Sequence, residues 1–341
     1  MLIVPAVVAA AVTAGLVPVL ERRARASGRL VDVPNERSSH RVATPRVGGA
    51  AMVIGVFAGL AAAGLTGTPP VARAGVLAAG ALAIAALSFL DDLRSLSVPV
   101  RLTGHVVVAG AVAIDAGPWP AHALLDALPA VSVALTGLWI VGLVNAYNFM
   151  DGIDGLAGGQ AVVAGAGWTI VGVVTGAPEV TALALALAAA STAFLGFNWH
   201  PARVFMGDTG SAFLGYAFAV MPVAAPSAPA FAAAALFVWP FVFDAAFTFV
   251  RRLARGENVV KAHRSHLYQR LVSTGLSHRQ VSLGYLALAM LGVPAGVCAA
   301  AGSAPMSVLL GAAVPVAAVA LWRTVLRREA AAARRPVASR A

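Results

Sequence analysis

The sequence predicts an all-α, polytopic transmembrane helical bundle of about 10–11 spanning helices, each about 20 residues long. Three observations carry that prediction. The 341-residue chain is 60% hydrophobic and only 11% charged, where soluble domains run near roughly 25% charged. Its apolar residues come as continuous Ala, Val, Leu and Gly runs without the two-residue alternation of a membrane β-barrel. Because irregular backbone cannot face lipid, such runs must be helical.

In chain order the candidate spans fall near 2–20, 48–66, 73–90, 102–116, 131–147, 159–175, 179–196, 210–225, 230–249, 280–301 and 305–322. The first is not a signal peptide, because Arg22, Arg23, Arg25 and Arg29 follow the apolar run and no basic residue precedes it. The positive-inside rule makes that cluster cytosolic, with the N-terminus outside and the C-terminus inside. The cytosolic segments are then 21–47, 91–101, 148–158, 197–209, 250–279 and 323–341; of 24 Lys and Arg, only Arg73 falls elsewhere. Loops at the other end, such as Gly67-Thr68-Pro69-Pro70 and Pro226-Ser227-Ala228-Pro229, read as turns. Residues 1–322 form one integral-membrane domain, and 323–341 a basic tail expected to be disordered.

The net charge of +10 does not point to nucleic acid, because the basic residues border spans and form no stripe with interleaved aromatics. Cys298 is the single cysteine, so no disulfide framework exists. The tryptophans are expected as interfacial anchors.

Five of the fourteen acidic residues, Asp91, Asp92, Asp151, Asp154 and Asp208, sit near helix ends in three cytosolic segments. Any one pair reads equally well as a helix cap beside a Gly turn. As a set they repel one another, and gathering them requires a cation. Hard oxygen ligands without a Cys/His cage suit Mg²⁺, with Mn²⁺ as a substitute. The neighbouring glycines allow close backbone approach, and free N–H groups at helix starts favour anions. A metal and a phosphate are therefore expected together.

Two basic segments complete the face. One runs from Asp32 to Arg41 and on through Arg46 to Gly49; the other is Lys261 to Arg270. His263 and His266 would share one helix face if that stretch were helical. Zn²⁺ binding there lacks a third ligand at a familiar spacing, and phosphate recognition by His and Arg fits better. Asp244 falls about mid-span, as an intramembrane functional group or as an interfacial partner of Arg251 or Arg252. Pro240 is expected to kink its helix, and a bend there would open a groove for a lipid tail.

With these motifs in hand, the chain resembles the polyprenyl-phosphate N-acetylhexosamine-1-phosphate transferases from about Asp32 to Arg270. Asp91-Asp92 with Ser95-Leu96, the Asn145–Gly159 run, and Asn198 through Ser211 carry the resemblance. It implies transfer of a sugar 1-phosphate from a UDP-N-acetylhexosamine to a polyprenyl phosphate lipid, with release of UMP. It also implies Mg²⁺ at Asp208 with Asn148 as second ligand, Asp91 and Asp92 close by, and Asp151 and Asp154 near the nucleotide. Asn198 and Phe205 match a uridine pocket, while His263, Arg264 and His266 match a pyrophosphate loop; Arg41 and Arg46 are further candidate substrate contacts. That loop reads His-Arg-Ser-His rather than a triple histidine, which is similar to the O-antigen and teichoic-acid initiating branch. The implied setting is the bacterial inner (plasma) membrane, with the site on its cytosolic face and a homodimer left open. The competing class is a transporter, suggested by Asp244, but transporters gather polar groups near the midplane. A CDP-alcohol phosphotransferase would show a longer Asp-Gly motif that is absent here.

Overall fold

The computed structural model describes residues 3–34, 42–116, 128–225, 230–259, 261 and 263–334. Arg41 and the 226–229 turn lie outside them. The architecture is the expected all-α bundle. Its helices are α1 (Ile3–Ser27), α2 (Gly48–Leu65), α3 (Ala74–Arg94), α4 (Val98–Ala116), α5 (Pro129–Met150), α6 (Leu156–Val174) and α7 (Pro178–Asn198). Next come α8 (Gly207–Ala224), α9 (Ala230–Phe237), α10 (Trp239–Ala254), α11 (Leu267–Ser273), α12 (His278–Ala300), α13 (Ala304–Gly311) and α14 (Ala313–Ala333). The only described sheet pairs β1 (Val31–Asp32) antiparallel with β2 (Thr44–Pro45).

Among the described residues, nine helical segments are long and apolar enough to cross a membrane, with α13 and α14 counted together. The pair α9–α10, bent by 73°, makes a tenth. Helix α8, expected as a span at 210–225, is not among them, because its first turns carry Asp208, Thr209 and Ser211. It lies at the centre of the bundle, buried along almost its whole length, with α2, α3 and α5 packed against it. A helix wrapped by protein rather than lipid tolerates that polarity. Gly49 of α2 and Gly210 of α8 meet backbone to backbone, so close that neither has room for a Cβ.

The break between α9 and α10 follows from Pro240, which lacks an N–H and clashes with the carbonyl four residues earlier in a continuous helix, yet fits the first turn of a new one. Val238 accordingly leaves the helix at φ −118°, ψ 15°. The bend frees carbonyls inside the bundle, and Gln160 Nε2 of α6 donates to the one on Phe237 at 2.7 Å. Arg73, the one basic residue beyond the expected cytosolic segments, is neutralised by Asp115 at 3.0 Å at the opposite end of the bundle.

Several expectations are corrected. Helix α3 runs four residues past the expected 90 and keeps Asp91 and Asp92 in its last turn. Residues 323–333, expected in a disordered tail, continue α14, because Glu329 holds Arg270 of α11 at 2.6 Å. Trp168, expected at the interface, is fully buried against Phe237.

Replacing Gln160 by Leu leaves the Phe237 carbonyl without its donor in an apolar setting. We expect a loss of about 1–3 kcal/mol, read as a lower unfolding midpoint of the detergent-solubilised protein; an unchanged midpoint contradicts this account of the bend.

Candidate active site

Asp91 and Asp92 are neighbours in sequence but do different work. Asp91 Oδ1 accepts from the Leu96 N–H at 2.6 Å, and its Oδ2 pairs with Arg101 at 2.8 Å. Asp92 turns the other way. Its Oδ1 accepts from the Asp208 N–H at 3.0 Å, and its Oδ2 accepts from the Thr209 N–H at 2.9 Å and hydroxyl at 2.6 Å. Asp92 thus caps α8 from a different helix, satisfying first-turn donors that would otherwise be orphaned. Those amides were expected to greet an anion; the anion they greet is Asp92. Gly207, at φ 72°, makes this approach possible, since a Cβ there would lie 2.9 Å from Asp92 Oδ2.

The capped turn delivers Asp208 to the site. Its Oδ1 accepts from Asn148 Nδ2 at 2.8 Å, and its Oδ2 lies 3.5 Å from the same Arg101 that holds Asp91. Arg101 therefore bridges two carboxylates from α3 and α8. Asn148 also donates to Ser211 at 3.1 Å, so it orients Asp208 with its amide; acting as a metal ligand requires that amide to turn over.

Asp151 follows the last residue of α5. Burial, together with the charges of Asp208, Asp92 and Asp154, pushes its acid up to about 8. Asp154 has the opposite fate: burial works against its charge, but the imidazoles of His278 and His200 outweigh burial and hold it below the usual carboxylate range. Two carboxylates three residues apart are thus separated by their surroundings, one with an unmet demand for positive charge and one already supplied.

Backbone contacts set the rest of the wall. Arg46 and Phe205 form a parallel bridge, with the Phe205 N–H donating to the Pro45 carbonyl at 2.8 Å. Arg46 reaches the Asp92 carbonyl at 3.4 Å, and its buried Nε finds no acceptor among the described residues. Asn198 is 4% exposed. Its carbonyl accepts from the Gly155 N–H and its amide donates to the Val204 carbonyl, both at 3.0 Å, so it braces the two loops with both ends of its amide.

The stretch before α11 is not helical, so His263 and His266 do not share a helix face; their rings still sit 5.0 Å apart. Asp244 explains the arrangement. It accepts from the Leu267 N–H at 2.8 Å, the Tyr268 N–H at 3.1 Å and the Tyr285 hydroxyl at 2.6 Å, with His266 Nδ1 at 3.3 Å. The sequence reading of Asp244 as a partner of Arg251 or Arg252 does not hold among the described residues: it caps α11 from α10. Arg251 and Arg252 bond instead to the carbonyls of Ser265 and Asn258. The capped turn docks on the end of α5, where Tyr268 donates to the Phe149 carbonyl at 2.9 Å and His266 lies beside the Phe149 ring. His263 is held down to about 4 by burial and by the positive charges of His266 and Arg252. It is therefore a neutral donor near pH 7, while Arg264 is exposed.

The structure thus links Asp91 and Asp208 through Arg101 and ties Asn148 and Asp92 to the same turn. It brings Arg46 to Asp92 and Asp151 within electrostatic reach of Asp208 and Asp92, and sets the histidine loop against the end of α5. Arg101, Thr209, His200 and His278 were not singled out from the sequence. Arg101 carried one weak signal, a lone arginine at the start of a span just after an Asp pair.

The model of Glycosyl transferase family 4 matches residues 74–225, which hold α3 through α8. The probable undecaprenyl-phosphate N-acetylglucosaminyl 1-phosphate transferase of Bacillus subtilis is 34% identical over 278 residues, 77% of this chain and 75% of that protein. The chain belongs to the polyprenyl-phosphate N-acetylhexosamine-1-phosphate transferases. The transporter reading falls away. The decaprenyl-phosphate N-acetylglucosaminephosphotransferase of Mycolicibacterium smegmatis is 29% identical to this transferase over 90% of this chain and 84% of its own length. The phospho-N-acetylmuramoyl-pentapeptide-transferase of Heliobacterium modesticaldum is 35% identical over 53% and 60% respectively.

In this transferase Asp92 and Asp208 separate experimentally. Asp92→Asn keeps only one of the two oxygens that serve three donors, sets an NH₂ against N–H groups in place of the other, and should lower stability by about 1–3 kcal/mol. Asp208→Asn removes a charge crowded by Asp91 and should leave the unfolding midpoint unchanged or raised. Equal losses in the two variants contradict the capping assignment.

Proposed function

We propose that this transferase moves N-acetylglucosamine 1-phosphate from its UDP conjugate to a polyprenyl phosphate, releasing UMP and starting a cell-envelope polysaccharide. The sugar follows the names of the Bacillus and Mycolicibacterium relatives; N-acetylgalactosamine and deoxy-N-acetyl sugars are the competing substrates. Placement at the cytosolic face of a bacterial inner membrane is supported by the charge asymmetry of the loops. A homodimer belongs to the same expectation.

The reaction joins an oxygen of the lipid phosphate to the sugar-bearing phosphorus and breaks the phosphoanhydride to UMP. A phosphate monoester has a second pKa near about 6, so the lipid phosphate attacks as an anion with little need of a base. The main obstacle is repulsion between two anions. Arg46, Arg264 and His263 are the donors we assign to the phosphates, with Arg101 holding Asp91 and Asp208 in place. Asp151 and Asp154 face the nucleotide in this assignment, beside Asn198 and Phe205.

The residues present fit Mg²⁺. The donors are all oxygens, and the raised acid of Asp151 marks negative charge that its described neighbours leave uncompensated. Asp208 would hold the ion, with Asp91, Asp151 and a turned Asn148 within its group, and Mn²⁺ is the expected substitute. When bound, the ion neutralises phosphate charge developing as the anhydride breaks. The observation that carries the reading is the convergence of Asp91, Asp92, Asp151 and Asp208 on one end of an otherwise apolar bundle.

The test is UMP release by purified protein given polyprenyl phosphate, Mg²⁺ and a panel of UDP-N-acetylhexosamines. Release with the N-acetylglucosamine conjugate is expected, abolished by chelator and lowered about 10²-fold or more in Asp208→Asn. No UMP from any member of the panel overturns the proposal.

A further inference from the structure

The motif residues leave one cluster unexplained. Asp154 stands where three separate segments meet: the α5–α6 turn, the loop before α8, and the start of α12. Its Oδ2 lies 2.6 Å from His200 Nδ1, and its Oδ1 lies 3.3 Å from His278 Nδ1. One ligand atom from each of the three residues falls within 4.8 Å of the others. The rings are 5.4 Å apart at 60° to one another, converging on the carboxylate without stacking.

His278 is 8% exposed, and its buried Nδ1 has no hydrogen-bond partner among the described residues, although a carboxylate oxygen lies near. A buried nitrogen in that state calls for an explanation, such as an ion. We propose that Asp154, His200 and His278 bind a transition-metal dication of the zinc class, which staples the three segments together.

The donor chemistry selects the metal. Two imidazoles and one carboxylate suit zinc, whereas Mg²⁺ takes oxygen ligands and retains water. Zinc ligands at about 2.0–2.2 Å stand roughly 3.3–3.5 Å apart in a tetrahedron, close to the Asp154–His278 separation already present. His200, its side chain 39% exposed, has room to complete the set. The carboxylate is also held from behind: Asp154 Oδ2 accepts from the Ala202 N–H at 3.2 Å, and its backbone carbonyl accepts from Ser282 at 2.8 Å. Such outer contacts orient metal ligands. The His263–His266 pair, the zinc candidate in the sequence, lacks this opening. His263 pairs with Ser265 at 2.9 Å, and His266 faces an Asp244 already engaged by backbone N–H groups. The proposed ion uses none of Asp91, Asp208 or Asn148, but it takes Asp154, which the proposed function places toward the nucleotide. Metal binding is read without turnover, so it fails or succeeds separately from the transfer reaction.

The test is zinc titration of chelator-treated, full-length protein in detergent, by calorimetry with elemental analysis of the product. One equivalent is expected for the wild type and for His263→Gln, even with excess Mg²⁺ present. His278→Gln and His200→Gln should each bind at least about tenfold more weakly. A second measurement needs no variant: Co²⁺ added to wild-type protein should give the intense visible absorption of a four-coordinate ion, displaced by Zn²⁺. No stoichiometric zinc, zinc retained equally by both histidine variants, or a Co²⁺ spectrum like that of the hydrated ion overturns the proposal.

Discussion

Carboxylates held at one end of an apolar bundle each need a donor or a cation, because an unpaired buried charge is far costlier than a paired one. That constraint organises this molecule. Asp92 meets it with the first-turn N–H groups and hydroxyl of α8, and Asp91 meets it with Leu96 and Arg101. Asp154 has its histidines. Asp151 has no such supply among the described residues, and burial with the surrounding charges holds its acid up to about 8. Among the described residues the site is therefore anionic in excess of what its neighbours compensate. A divalent cation and the phosphates that accompany it are the natural complement.

Two of these carboxylates do structural work at long range. Asp92 on α3 caps α8, and Asp244 on α10 caps α11. In each case a buried acid fixes the start of a helix whose neighbouring residues face the site: Asp208 in the first case, His263 and His266 in the second. The Pro240 bend serves the second cap, since it redirects α10 after α9. A helix start tied to a different helix cannot shift without moving both, so site geometry and bundle packing are one problem.

The sequence made the bundle, its bend and the sidedness of its charges legible, because those depend on composition and local chemistry. Pro240 broke its helix as expected, and the glycines around Asp208 marked close backbone approach. Partners distant along the chain were not legible. Nothing near Asp92 announces that its donors are Asp208 and Thr209, and nothing near Asp154 announces His200 or His278. The central position of α8 was not legible either, because burial by other helices leaves no local mark. Nothing near Asp244 announces that its donors are the Leu267 and Tyr268 N–H groups.

The central claim is that the site holds uncompensated carboxylate charge until a cation arrives, and proton release on Mg²⁺ binding tests it most directly. Asp151, raised to about 8, is largely protonated near pH 7 and must ionise as the cation binds. Calorimetry in two buffers of different ionisation enthalpy should show net proton release near pH 7 that fades above about pH 9 and is much reduced in Asp151→Asn. Mg²⁺ binding with no proton release at pH 7, or with equal release at both pH values, would contradict the account.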